Sequence, residues 1–228
     1  MTLMPTADRL FDERFEQWLR ARGSACARIL EPIYDEIARP IGAPPDVART
    51  VAVLRWLIDR GRDDLLLTTR DPLRSTPVRD PEAGARCRSI VRPPGPPAGA
   101  QVLFSHLEKC GWFTSSGGRV LPSPLLRRLD GHPRALWAVV ADGLLVRSDG
   151  FGGPAEPVFA SLLRCGDLPG LGTCAVGPAT ARVLPLIGAF GGWVRHAEGA
   201  QLSPGGRATL RRALRASVLS SHRARRRW

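Results

Sequence analysis

The stretch Gly111-Trp-Phe-Thr-Ser-Ser-Gly-Gly-Arg-Val-Leu121 has a second copy, Gly192-Trp-Val-Arg-His-Ala-Glu-Gly-Ala-Gln-Leu202, eighty-one positions further along the chain. The Gly-Trp pair, a glycine of the turn and the final leucine recur in both copies. In each copy two short runs flank a Gly-bearing turn, and the first run opens with an aromatic side chain, a pattern typical of a β-hairpin. The duplication therefore predicts two hairpins built on the same plan.

Helical patterns lie on both sides of each hairpin. Apolar residues from Val102 to Cys110 recur at helical spacing before the first hairpin, and an apolar segment at 179–190 precedes the second. After the second hairpin, Ser203 and Pro204 are the residue types that helices favour at the N-cap and at the first helical position. We therefore expect helix, hairpin and helix in each copy, with the tryptophan that opens each hairpin sealing the core.

The remaining sequence divides into regions of different composition. Residues 1–91 contain three amphipathic patterns and are predicted to form an N-terminal helical region. Consecutive prolines and glycines at 92–99 predict a linker, because prolines supply no backbone N–H group and cannot continue a helix. The first hairpin unit is then expected at 100–150, and the second at 151–228 with a basic C-terminal helix and tail. The predicted fold class is mainly α with short β-hairpins.

Both copies resemble the winged-helix fold, in which a helix precedes a short hairpin. The segment Gln201-Leu-Ser-Pro-Gly-Gly-Arg-Ala-Thr-Leu210 is similar to the one that closes the wing of many bacterial winged-helix regulators, where Leu-Thr/Ser-x-x-Gly-Arg leads into a helix. The block from Gly111 to Trp137 also resembles uncharacterised proteins of plasmids and mobile elements in high-GC bacteria, whose activity is unknown. The first copy departs from the pattern, since Leu121-Pro-Ser-Pro replaces the Gly-Arg turn. The resemblance implies two tandem winged-helix-like units after the N-terminal region, and DNA binding by Arg207 and the wing residues.

Charge points to the same class of partner. The chain has 228 residues, with 33 basic and 21 acidic side chains and a formal net charge of +12. Lys109 is the only lysine, so the positive charge is almost entirely arginine. A basic balance of this size favours polyanions such as nucleic acid and says nothing about the fold.

Arginines of the last predicted helix are the main binding candidates. Arg207, Arg211 and Arg215 recur every four residues and so share one face, whereas Leu210, Leu214 and Val218 share another that is expected to pack on the body. Guanidinium groups at this spacing suit contacts to phosphates without sequence recognition. An ordinary solvated face is the alternative interpretation. The predicted nucleic-acid-binding set also includes Arg212, which widens this basic face, and the wing residues Arg119 and Arg195. The tail residues Arg223, Arg225, Arg226 and Arg227 complete it.

Recognition of base edges is less well supported. The helix before the hairpin normally enters the major groove and needs polar side chains there. In the first copy that helix offers Gln101, Ser105, His106, Glu108 and Lys109. In the second copy it is almost wholly apolar and contains Pro185, so we expect it to be buried as a packing or dimerisation element.

Other function classes find little support in the sequence. The five cysteines are scattered, which fits reduced thiols and a cytoplasmic protein, and no signal-peptide pattern or apolar run of membrane-spanning length is present. Phosphate-binding, dinucleotide and nucleophile-elbow motifs are absent, so no cofactor and no catalytic residue are predicted. Asp130 and His132 fit a turn before a helix better than an acid–base pair, and the spacing of Cys165, Cys174 and His196 matches no closed zinc site.

The leading prediction is therefore a non-enzymatic protein that associates with double-stranded DNA, a transcriptional regulator being one form of it. A protein-interaction module or homodimer without nucleic-acid binding is the main alternative, and an uncharacterised enzyme is a distant one.

Overall fold

The structure, a computed structural model, describes residues 6–62, 99–116, 119–145, 155–166, 178–196 and 199–224. The N-terminal region contains α1, α2, a short 3-10 turn, α3, α4 and α5, at Thr6–Arg20, Gly23–Leu30, Glu31–Ile33, Tyr34–Ile37, Val47–Thr50 and Ala52–Arg62. Pro32 accounts for the short turn that separates α2 from α3, since proline removes a helical hydrogen-bond donor. The predicted linker lies outside the described residues except for Gly99.

The two copies of the repeat form two hairpin units, and α9 (Glu156–Cys165) lies between them. Hairpin unit 1 consists of α6, β1, β2, α7 and α8, at Ala100–Lys109, Phe113–Ser116, Arg119–Pro122, Pro124–Leu129 and Pro133–Gly143. Hairpin unit 2 consists of α10, β3, β4 and α11, at Pro178–Ala189, Trp193–His196, Gly199–Leu202 and Pro204–Ala224. Each strand pair is antiparallel and forms its own two-stranded sheet. The prediction of a mainly helical chain with two short hairpins is confirmed.

The register of the repeat differs from the sequence prediction by one residue. Hydrogen bonds from Trp112 N to Leu107 O (2.9 Å) and from Gly192 N to Ile187 O (3.0 Å) occupy the same place in the two units. So do the bonds from Ser123 N to Trp112 O and from Ser203 N to Gly192 O, both 2.8 Å.

The structural offset is therefore eighty residues, and the shared Gly-Trp pairs of the sequence are not equivalent positions. Phe113 opens β1 where Trp193 opens β3, while Trp112 precedes its strand at the place of Gly192. A slip of one residue matters in a strand because it moves each side chain to the opposite face. Phe113, only 2% exposed, is the aromatic residue that seals unit 1, and Trp112 and Trp193 are half-buried against the core.

A serine cap begins the helix after each hairpin. In unit 1, Ser123 Oγ accepts a hydrogen bond from Leu126 N (3.3 Å), and in unit 2, Ser203 Oγ accepts one from Gly206 N (2.9 Å). A proline follows each serine at the first helical position. The predicted N-cap at Ser203 is thus confirmed, and the same cap recurs eighty residues earlier.

The long C-terminal helix α11 lies in the middle of the packing. It contacts α1, α3, α8 and α9, and its apolar residues Leu210, Leu214 and Val218 are fully buried, as expected. α6 and α10 pack against each other, and α5 packs on α6 and β2. Elements from all the predicted regions therefore contribute to one continuous core.

Buried polar bonds tie α11 to its neighbours. Arg22 donates to Glu156 across 2.7 Å, Ser217 Oγ lies 3.3 Å from the same carboxylate, and Trp18 Nε1 donates to Ser217 Oγ at 3.1 Å. Trp137 Nε1 donates to Thr209 Oγ1 at 2.9 Å. Because these bonds join α1, α9, α8 and α11, they orient the C-terminal helix as well as satisfying buried polar atoms.

Candidate nucleic-acid interface

Two of the predicted phosphate-binding arginines contact α3. Arg207 lies 3.2 Å from Glu36 Oε2 through its Nη1 atom, and Arg211 Nε donates to the main-chain oxygen of Glu36 at 2.6 Å. Arg211 Nε is also 4.0 Å from the Glu36 carboxylate. The two arginine side chains are 41% and 32% exposed. One glutamate, 171 residues away from Arg207 in sequence, therefore holds both guanidinium groups on the α3 side of α11.

The other two arginines of the strip bind main-chain carbonyl groups. Arg212 donates to Ala138 O and Ile41 O, both at 3.2 Å, and to Asp142 Oδ2 at 2.7 Å. Arg215 donates to Ile37 O at 2.6 Å and to Ala38 O, and its guanidinium lies 4.5 Å from the centre of the Phe11 ring. The carbonyl groups of Ile37 and Ala38 lie at the end of α3, where no further helical turn satisfies them.

The expected exposed strip of free guanidinium groups on the C-terminal helix is therefore corrected. Arg207, Arg211, Arg212 and Arg215 do share one side of α11, but that side faces α3, the segment after it and α8. The sequence could not show this, because an arginine beside an apolar helix face has the same pattern whether the partner is solvent or a neighbouring helix. Their binding to phosphates stays a prediction.

The other predicted contact residues are placed only in part. Arg119 is the first residue of β2 and pairs with Ser116, directly beside the turn of the first hairpin. Arg195 pairs with Ala200 in the second hairpin, one position further from the turn than His196. Arg223 belongs to α11, and nothing is described of these arginine side chains. Arg225, Arg226 and Arg227 lie outside the described residues.

The structure exposes a second set of arginines that the sequence prediction passed over. Arg127 and Arg128 on α7 and Arg134 at the start of α8 are exposed, and Arg127 Nε donates to Pro122 O at the end of β2, at 2.9 Å. Arg127 has the same place in unit 1 as Arg207 in unit 2, one turn after the capping serine. The repeat could have revealed these residues, because Ser-Pro-x-x-Arg occurs after both hairpins.

The helix that precedes the first hairpin offers little to a base pair. α6 packs against α5, α10 and β1. Ser105 and Lys109 are exposed, Glu108 is half-buried and His106 is buried; the side chain of Gln101 is not described. The corresponding helix of unit 2, α10, is buried along Val183, Leu186 and Ile187, so the expectation that it is a buried packing element is confirmed.

His106 contributes no positive charge to this region at neutral pH. Burial lowers the pKa of its imidazole to about 4, a hydrogen bond with the main chain of Leu144 opposes the shift, and Lys109 adds to it. Its Nε2 atom lies 3.7 Å from Cys110 Sγ. The neutral ring is therefore buried in the core, next to Leu144, which directly follows α8.

Chemistry of other kinds finds no assembled site in the described ranges. His132 donates its backbone N–H to Leu129 O at 2.8 Å, as in a turn, and Asp130 lies 3.8 Å from Arg55. No group of three or more His, Cys, Asp or Glu side chains suited to a metal occurs among the residues that the structure describes. None of the helices described is both long and apolar enough to cross a lipid bilayer.

Comparisons of the chain with family models, with curated proteins and with solved structures found no match.

Proposed function

We propose that this protein associates with double-stranded DNA without catalysis, through phosphate contacts made mainly by hairpin unit 1. The observation that carries the proposal is the exposure of Arg127, Arg128 and Arg134 directly after the first hairpin. Arg119, beside the turn of that hairpin, belongs to the same segment. Asp130 is the only carboxylate between residues 119 and 135, and it lies near Arg55. The net charge of this segment is therefore positive.

The arrangement of helices and hairpins supports a winged-helix interpretation. Beside unit 1, α5 of the N-terminal region packs on both α6 and β2, so two helices and a hairpin form one group. Beside unit 2, α9 packs on α10, and Leu202 N at the end of β4 donates to Gly166 O just after α9, at 2.7 Å. We infer two tandem winged-helix-like units, of which the first faces DNA and the second supports it.

We expect binding without base recognition because α6 has few exposed polar side chains. Ser105 and Lys109 alone among its described side chains are exposed, whereas discrimination of bases requires several hydrogen-bonding groups in the groove. Phosphate contacts position a protein on the duplex and carry no sequence information directly. We therefore expect affinity that depends steeply on salt and little on DNA sequence.

Titration of a labelled duplex by fluorescence anisotropy at several salt concentrations tests the proposal. Replacing Arg128 and Arg134 by glutamate (R128E/R134E) removes two groups that bind phosphate, so the slope of log K against log salt should fall by about 1 for each arginine replaced. The matched control is R28E/R164E, which changes the net charge by the same amount at two exposed arginines on α2 and α9.

Wild-type protein that fails to bind duplex DNA at low salt would contradict the proposal. So would equal weakening in both double variants, because that result reflects net charge instead of a defined surface. Self-association in light scattering, without DNA binding, would favour the protein-interaction module.

A further inference from the structure

A cavity of about 560 Å³ lies between α1, the segment after α3, the end of α8 and the second half of α11. Its size falls in the range of small-molecule sites. Among the residues that the structure describes, Arg14, Arg212 and Arg215 line it together with a single carboxylate, Asp142. Three guanidinium groups against one carboxylate leave an excess of positive charge in a partly enclosed space.

Main-chain bonds hold all three guanidinium groups in place, and those of Arg14 and Arg212 keep further N–H donors. Each arginine has five N–H groups. Arg14 uses one of them on Leu219 O at 3.0 Å, and Arg212 uses three, on Ala138 O, Ile41 O and Asp142. The remaining N–H groups belong to side chains that are already fixed, and fixed donors bind an anion without the entropy loss of ordering long side chains.

The rest of the wall is apolar. Pro40 and Ile41 on one side and Ala216 and Leu219 on the other line the cavity, and Ser220 adds a hydroxyl group. An inorganic ion would contact the guanidinium groups but would leave this apolar surface exposed to water. A ligand with an anionic head and an apolar body would satisfy both parts of the wall.

We propose that this cavity binds a small organic anion, a carboxylate or phosphate group carried on an apolar body. Arg14 and Arg212 bind the head group through charge-assisted hydrogen bonds, and Ile41 and Leu219 contact the body. The site is independent of the proposed DNA interface, since it involves none of the exposed arginines of unit 1.

Calorimetric titration and thermal denaturation of the full chain test this site with phenyl phosphate and benzoate as probes, at constant ionic strength. Inorganic phosphate and benzyl alcohol provide the head and the body separately. Phenyl phosphate is expected to raise the Tm saturably and to bind at least about tenfold more tightly than either comparator, because both parts of the wall then contribute.

Two variants locate the site. Arg14→Gln should weaken phenyl phosphate binding about tenfold or more, because it removes a charged hydrogen-bond donor. Arg9→Gln, the same change on the same helix at an 80% exposed side chain, should leave binding unchanged. Ala216→Leu keeps every charge and takes up part of the space beside the apolar wall, so it should also weaken binding.

Three results would overturn the proposal. They are the absence of saturable binding by either probe, equal weakening in the Arg9 and Arg14 variants, and inorganic phosphate that binds as tightly as phenyl phosphate. Duplex DNA titrations of the Arg14→Gln variant separate the two proposals, since DNA binding should persist there.

Discussion

Hairpin unit 1 and hairpin unit 2 share a backbone plan, a serine cap and an arginine one turn after the cap. The two units differ in the surroundings of the arginines that follow the cap. Arg127 and its neighbour Arg128 are exposed on α7, a helix of six residues. Arg207 and the arginines after it lie on α11, a helix of 21 residues that runs through the core and contacts α3 and α8. A repeated pattern of charge thus acquires its role from the elements that pack around it.

A difference at the base of the hairpins accompanies this contrast. Unit 2 has Gly192 and Gly206 where unit 1 has Trp112 and Leu126. A Cβ atom on Gly206 would lie 2.6 Å from Gly192 O, so the start of α11 approaches its hairpin more closely than any side chain would permit. Leu126 occupies the same place in unit 1 and is itself buried.

The largest expected effect tests whether α11 is a core helix. Glu156, 5% exposed, pairs with Arg22 at 2.7 Å and contacts Ser217 of α11. Glu156→Ala should lower the free energy of unfolding by about 3–5 kcal/mol, because it leaves a largely buried guanidinium group without its carboxylate. Urea denaturation measures the change. The matched control is Glu16→Ala, whose pair with Arg20 has a similar length of 2.8 Å but is 66% exposed at the glutamate, so a loss below about 1 kcal/mol is expected there.

Equal losses in the two glutamate variants would mean that the buried pair does not anchor α11.

The next prediction concerns His106→Leu, which gives one position of unit 1 the residue type found in unit 2. His106 corresponds to Leu186, and both are buried. The pKa of His106 is about 4 in the folded chain and about 6.5 in an unfolded one, so only the unfolded state binds a proton between these values. Stability contributed by the neutral ring is therefore complete above pH 6.5 and falls as the pH drops towards 4, by about 3 kcal/mol in all.

His106→Leu should remove this decline, as measured by the difference between wild-type and variant denaturation curves from pH 7 to pH 4. A difference that does not change over that range would contradict the buried, neutral histidine.

The smallest effect compares the arginines of the two units directly. Arg212→Gln removes bonds to two carbonyl groups and to Asp142, and should lower the free energy of unfolding by about 1–3 kcal/mol. Arg128→Gln, the same change at an exposed position of unit 1, should stay within about 0.5 kcal/mol of wild type. Thermal or urea denaturation of both variants measures the contrast. Similar stability changes would show that the two sets of arginines do not differ in role.

Local features of the fold were within reach of the sequence. The two hairpins, the serine cap at Ser203 and the buried apolar face of α11 all follow from interactions between residues a few positions apart. The register of the repeat could not be predicted from the sequence. The matching Gly-Trp pairs indicate an offset of eighty-one residues, whereas the hydrogen bonds of the structure show an offset of eighty. The candidate site was predicted in composition but not in place: arginines after the hairpins were expected, and those of unit 1 were missed.

By itself, the sequence determined that the chain is mainly helical, carries two hairpins and has an excess of positive charge. Those properties depend on periodicity and turn chemistry, which involve residues close together in the sequence, and on composition, which does not depend on the order of residues. The tertiary structure alone decided which guanidinium groups face solvent. Glu36 and the carbonyl groups at the end of α3 lie more than 170 residues from the arginines that they bind, and only the packing of α11 against α3 brings them together.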